Sequence, residues 1–395
     1  MLNSDPERGL TIETRTMAQP PQSSASEPFA IRAARWIHTA ANWIFGVLSI
    51  VFGLAICSVV PGLNFVSLGY LVAASGRVAR SGRFRDGFMG VAKAAMLGRF
   101  VIGTWLVLLP VRILSGLWRD AELIHPLSNT ARLWHAAVVL AAALACLQIV
   151  WACLRGGRIR HFLWPAPLAL WRWIRTSRQR PQIGNALTNY LIGLRLPFFF
   201  WLGLRAFIGS LVWLGFPVGL LILAARFPAD QGGGALSLLG GLLLLPVVYY
   251  LPFLQVHFAM EQRFSALFEP GRVRKAYKRA PWLLLVALFV TLLFAIPLYL
   301  LKVELPPREL SWMPSLIFVV FIWPARLLTG FAFAQASKRQ LPRHWILRWT
   351  SRIALVPVLV AYVVIVYLTQ FLSWKGTFSL LEQHAFLVPA PLLNL

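Results

Sequence analysis

The sequence predicts an all-α fold, a polytopic bundle of about eight or nine transmembrane helices with room for an N-terminal helical hairpin. Three observations predict it. Of 395 residues, 58% are apolar and only 13% charged, whereas a soluble domain carries roughly a quarter charged residues. The apolar residues are gathered into long unbroken runs, and the basic residues fall in alternate connections between those runs.

The first thirty or so residues are rich in Ser, Pro, Gln and Glu, and no apolar stretch precedes Phe29. A signal peptide needs a basic start followed closely by an apolar core, so residues 1–33 read instead as a disordered cytoplasmic tail. The membrane domain is expected over residues 34–376. Residues 377–395 are expected to form an extracytoplasmic C-terminal tail.

A spanning helix needs about 20 mostly apolar residues, because each residue rises about 1.5 Å against a hydrocarbon core about 30 Å thick. The first apolar stretch, Ala41 to Val60, is long enough, but Pro61-Gly62 interrupts it. A second stretch, Leu63 to Ala74, then runs into Arg77, Arg80, Arg83 and Arg85. Two arrangements stand open. Either the first stretch crosses and the second lies along the interface, or the two form a hairpin that returns to the starting side.

Seven further runs qualify: Phe100 to Trp118, Leu133 to Leu154, Pro197 to Ala225, Ala235 to Met260, Trp282 to Leu301, Trp312 to Ala336 and Ile353 to Trp374. None alternates in polarity as a barrel strand would, so helices are the predicted form. Trp36, Trp118, Trp282, Trp312 and Trp374 fall near span ends, where indole favours the headgroup boundary.

Charge assigns the sides. The stretches Arg77 to Arg99, Arg155 to Arg195, Arg263 to Arg279 and Lys338 to Arg352 hold six, eight, six and five bases. The intervening connections and C-terminal tail hold six bases and six acids. Lys and Arg accumulate on the cytoplasmic side, so the basic stretches are placed there. That distribution accounts for the net charge of +25 without nucleic acid. The expected location is a bacterial cytoplasmic (inner) membrane, and the expected partners are the lipid bilayer and anionic headgroups at the basic loops. Within those loops, Trp164 to Arg180 and Pro270 to Ala280 mix aromatic and basic residues; each reads as a helix in the headgroup layer or as a solvated loop.

No catalytic or nucleotide-binding signature is present, and no cofactor or metal is implied. Cys57, Cys146 and Cys153 lie within apolar runs and read as small apolar residues. No Asp or Glu lies at mid-depth of a span, which argues against a proton- or cation-driven carrier. Arg205 and Arg326 do lie inside apolar runs, about 12 to 15 Å from the basic ends of their helices. They are the candidate substrate-binding residues: they either snorkel to the interface or face one another across a polar cavity that attracts an anion or lipid phosphate. Arg112 reads as a snorkelling anchor and His257 as a hydrogen-bonded packing residue. Asn64, Ser67 and Tyr70 are expected to satisfy backbone groups left open at the Pro61 break. Pro110, Pro217, Pro246, Pro252, Pro297, Pro324 and Pro357 predict kinked helices.

Pro61-Gly-Leu-Asn-Phe and Pro252-Phe-Leu-Gln-Val both lead through a helix end into a basic loop, which suggests a duplicated helix pair. The segments Pro61-Gly-Leu-Asn-Phe-Val-Ser-Leu-Gly-Tyr70 and Phe264-Ser-Ala-Leu-Phe-Glu-Pro-Gly-Arg-Val-Arg274 resemble parts of uncharacterised bacterial multi-pass membrane proteins grouped as a domain of unknown function. The resemblance covers about a fifth of the chain and implies location and fold class only. The functions it leaves open are a transporter or permease-like role for a small anion or amphiphile and a non-catalytic membrane scaffold or lipid- or partner-binding subunit.

Overall fold

The computed structural model describes residues 29–126, 128–166, 192–300 and 312–372, with single positions 168, 171, 175, 190, 376, 380, 384, 387 and 388. The expected N-terminal tail before Phe29, the connection 302–311 and most of the stretch 167–189 lie outside the described residues.

The described elements are all helical, and their bounds follow the apolar runs. They are α1 (Phe29–Val59), α2 (Asn64–Ser81), α3 (Val91–Ile124), α4 (Asn129–Leu154), α5 (Ile159–Leu163), α6 (Leu196–Ala224), α7 (Gly233–Glu261), α8 (Pro270–Arg279), α9 (Pro281–Leu300), α10 (Trp312–Lys338) and α11 (Trp345–Leu372). Among the described residues, seven helices are long and apolar enough to cross a membrane. The bent pair formed by α8 and α9 supplies an eighth, with 115° between its arms. The chain is a multi-pass helical membrane protein by the length and composition of these helices.

Two compact units divide the chain at Asn42, inside α1. In the first, the Thr39 hydroxyl donates to the Arg35 carbonyl at 2.8 Å along the helix. The remainder, from Trp43 onward, contains the bundle.

The bundle is built around α2, which is too polar to count among the seven spans. Its 18 residues include Gly69, Ala73, Ala74, Ser75, Gly76 and Ala79, and both its faces are buried. Small residues let helix backbones touch, and that contact replaces the hydrophobic drive that lipid removes. A Cβ placed on Gly69 would strike the Phe199 carbonyl of α6, and one on Gly203 would strike the Phe65 carbonyl of α2. Gly76 lies against Ala259 of α7, and Gly330 of α10 against the Ser75 carbonyl. Three neighbouring helices therefore rest directly on the backbone of α2. Buried on both faces, α2 is packed inside the bundle rather than along its surface. The Ser58 hydroxyl at the end of α1 donates to Ser67 of α2 at 2.8 Å, across the turn where Gly62 takes a φ of 84°.

The two stretches that suggested a duplication do not carry one. Pro61 lies in a turn and Pro252 inside α7, so those two stretches are not structural equivalents. The matching pieces are the ends of α2 and α7. Each closes on a left-handed residue, Gly82 (φ 70°) or Gln262 (φ 57°), whose N–H returns to a carbonyl four residues back. An extended arginine follows, Arg83 or Arg263, and then a short 3-10 turn beginning at Phe84 or Phe264. Both copies run toward the same end of the bundle.

At that end described residues of the four basic stretches meet. Arg80 donates to the Met260 carbonyl at 2.8 Å and caps the C-terminus of α7, where free carbonyls attract a cation. Lys93 donates to the Gly193 carbonyl at 2.8 Å, and the Tyr190 hydroxyl to the Lys93 carbonyl at 2.9 Å. The Arg343 N–H donates to the Lys278 carbonyl at 2.9 Å. Helix α8 belongs to this end: Val273, Ala276 and Tyr277 are buried while Arg272, Arg274, Lys275 and Lys278 are exposed. With its 115° turn from α9, it has the helical form expected for a headgroup-layer segment.

Candidate functional site

The two arginines singled out by the sequence occupy different environments. On α6, Trp201, Arg205, Ile208 and Val212 recur at helical spacing and are all exposed, so Arg205 belongs to the outward stripe of its helix. Leu202 and Ala206, its neighbours on the helix, turn inward and are buried. Arg326 is 2% exposed. It lies one turn beyond Trp323, whose ring packs edge-on against Tyr70 at 5.7 Å, and it precedes Gly330 at the contact with α2. Arg205 is thus on an exposed stripe and Arg326 in the core.

A polar group that the sequence did not single out lies inside the bundle. Gln255 of α7 is fully buried and donates through Nε2 to the Ser210 hydroxyl of α6 at 2.6 Å and to the Leu387 carbonyl at 2.8 Å. Tyr362 of α11 is hydrogen-bonded to His384 Nδ1 at 2.9 Å. Leu380, His384, Leu387 and Val388 are buried, the leucines and the valine within the main core. These positions of the expected extracytoplasmic tail are therefore part of the bundle's interior. A buried amide needs a partner, and Gln255 finds one in the backbone of this distant segment. Only the placement of a glutamine amid apolar residues at 250–256 signalled it.

His257 is a packing residue with a specific partner. Its Nε2 lies 3.1 Å from Glu269 Oε2, and Arg263 and Arg272 flank the same carboxylate at 3.9 and 3.7 Å. The hydrogen bond from His257, reinforced by the charges around it, holds the Glu269 carboxyl below the usual carboxylate range. Glu269 thereby ties the beginning of α8 to the end of α7. Arg274 on the exposed side donates to the Tyr250 hydroxyl at 2.9 Å, and the Tyr277 hydroxyl donates to Ser351 at 3.0 Å. The basic helix is anchored on both flanks, and Arg272, Arg274, Lys275 and Lys278 remain on its exposed side.

Two apolar grooves indent the flanks of the bundle. One, of about 330 Å³, runs between α7 and α11 past Leu238, Leu242, Val360 and Val364. The other, of about 580 Å³, runs between α3 and α4 and ends against α5. Both are lined mainly by apolar side chains, so their chemistry suits hydrocarbon rather than a polar solute. Among the described residues, no group of His, Cys, Asp and Glu is arranged to hold a metal ion.

Compared with protein-family models, with curated proteins and with solved structures, the chain finds no match. The functional reading therefore rests on the basic end, the buried polar group and the grooves themselves.

Proposed function

We propose that this chain is a non-catalytic protein of a bacterial cytoplasmic membrane that binds anionic lipid headgroups through its basic face and serves as a lipid- or partner-binding scaffold. The basic face is the cytoplasmic one in this reading, as the excess of Lys and Arg requires. One observation carries it: described residues of the four basic stretches are held together at one end by side-chain and backbone hydrogen bonds. Helix α8 adds Arg272, Arg274, Lys275 and Lys278 on its exposed side. A Lys or Arg near an anionic leaflet contributes about 1 kcal/mol of attraction, so a pre-assembled group binds strongly and falls off with salt.

The test compares thermal stability in nanodiscs of phosphatidylglycerol and of phosphatidylcholine. The midpoint is expected to be about 3 °C or more higher in the anionic discs. High salt should narrow that difference, and so should glutamine at Arg272, Arg274, Lys275 and Lys278. Equal midpoints in the two lipids, at low salt, refute the proposal.

A second reading, transport of a small anion or amphiphile, is favoured by the buried Ser210–Gln255–Leu387 group. A polar group at depth in a bundle is where carriers place their ligands. Anion flux into proteoliposomes that is lost in Gln255→Leu would support it over the scaffold.

A further inference from the structure

The core of the bundle encloses a piece of chain that belongs to none of its helices. Leu380, His384, Leu387 and Val388 follow α11 in sequence and are all buried. The N–H groups of Leu387 and Val388 return to the His384 carbonyl at 2.7 and 2.9 Å, which draws these three residues into one compact turn. Two polar side chains of the bundle hold that turn. The Tyr362 hydroxyl of α11 is hydrogen-bonded to the His384 ring at 2.9 Å, and Gln255 Nε2 of α7 donates to the Leu387 carbonyl at 2.8 Å. Withdrawing the turn leaves α6, α7 and α11 themselves intact.

The turn reaches far into the bundle. Gln255 also donates to Ser210 at 2.6 Å, and Ser210 is the middle residue of α6, about 21 Å from either end of that helix. Helix α11 starts two residues after Arg343, which is bonded to Lys278 at the basic end. It then rises about 40 Å to Leu372. The segment that follows it therefore returns into the core from the end opposite the basic one.

The turn fits its seat on one side only. Gln255 Oε1 is buried and meets no donor among the described residues, and the Ser210 hydroxyl is spent on the Ala206 carbonyl at 2.7 Å. A buried acceptor without a donor is costly. The Leu387 carbonyl supplies an acceptor to Gln255 but no donor. A molecule carrying a donor beside an acceptor would satisfy both atoms of the Gln255 amide, and an amide group is built that way. Ser210, Gln255 and Tyr362 carry no charge, so an ion would lose its water there without compensation.

We propose that the C-terminal turn is a built-in plug. It occupies a site for a small uncharged amide formed by Ser210, Gln255 and Tyr362, and its withdrawal opens that site toward the end of the bundle opposite the basic one. This rests on the transport reading, with an uncharged solute in place of an anion because the three side chains are neutral. It is independent of headgroup binding at α8.

The test uses the full-length chain in nanodiscs, with Cys57, Cys146 and Cys153 replaced by alanine and a single thiol introduced as Ser210→Cys. A charged methanethiosulfonate reagent, which reacts only where water reaches, reports access. Labelling is expected to be slow with the plug seated. Leu380→Asp with Leu387→Asp, which places carboxylates where the core is apolar, should release the turn and speed labelling at least about tenfold. Ile208→Cys on the exposed stripe of α6 should stay unreactive in both backgrounds. Should the double aspartate variant lose its monodisperse profile, Tyr362→Phe with His384→Ala replaces it. In proteoliposomes, the released variant should admit acetamide faster than the native chain and chloride no faster. Labelling of Ser210→Cys that is already rapid in the native background, or unchanged on release, overturns the plug. Faster labelling without acetamide entry overturns the transport reading on which the site rests.

Discussion

Gly69 of α2 and Gly203 of α6 face each other where their helices cross, and neither has room for a Cβ. The carbonyl of Phe199 fills the space above the first and that of Phe65 the space above the second. The Phe65 ring then packs edge-on against Phe200 at 5.7 Å and tilted against Phe207 at 5.4 Å. Backbone contact and aromatic interlock reinforce one another here, which is how α2 is held at the centre despite its modest hydropathy.

Gly69→Ala and Gly203→Ala should therefore each push the two helices apart. The expected cost is about 1–3 kcal/mol for overpacking, read as a lower midpoint in detergent by fluorescence-detected size exclusion. Gly215→Ala on the same α6 helix, where nothing stands near the missing Cβ, should leave the midpoint unchanged or raised. Equal effects at the crowded and open positions would contradict the crossing.

Arg205 and Arg326 should behave differently. Arg205 is on the exposed stripe of α6, so Arg205→Leu is expected to change stability by less than about 0.5 kcal/mol. Arg326 is in the core, and Arg326→Ala removes a large buried side chain, with an expected loss of about 2 kcal/mol or more. Thermal unfolding of the two single variants decides the matter, and a larger loss at Arg205 would reverse the assignment.

The bond from Gln255 to the Leu387 carbonyl holds the C-terminal segment inside the bundle. Removing it in Gln255→Leu should cost about 1–3 kcal/mol and free the segment. A cysteine introduced as Leu387→Cys should resist a membrane-impermeant maleimide in the otherwise native chain. Adding Gln255→Leu should speed its labelling several-fold. Rapid labelling in both backgrounds would show that the segment does not rest there.

The Glu269 carboxyl is held below its usual range by His257 and the neighbouring arginines. A depressed folded value means that Glu269 stabilises the fold fully above the unfolded carboxylate pKa of about 4.3. This stabilisation is lost as pH falls through the lower folded value. Glu269→Gln should remove that part of the acid dependence in thermal scans from neutral pH downward. An unchanged acid limb in the variant would exclude the contribution.

Much of the architecture is readable in the residues themselves. A helix in lipid must satisfy its own backbone, so run length and composition alone determined the helices from Val91–Ile124 to Trp345–Leu372 within a few residues at most ends. The alternation of basic and neutral connections determined which ends belong together. The mix of aromatic and basic residues in Pro270 to Ala280 allowed a headgroup-layer helix or a solvated loop, and a helix with Val273, Ala276 and Tyr277 buried is the form found.

Tertiary packing alone decided the rest. Hydropathy ranks Asn64–Ser81 low because it counts side chains, yet glycine and alanine are what allow three helices to touch its backbone. Rotation about a helix axis decided that Arg205 turns outward while Arg326 is buried, since both sit in runs apolar on every face and carry no periodic signal. The long-range bond from Gln255 to Leu387, 132 residues apart, decided that the expected tail belongs to the core. The groove between α3 and α4 exists only because two helices and the Phe162 wedge converge, and no single stretch of chain contains that geometry.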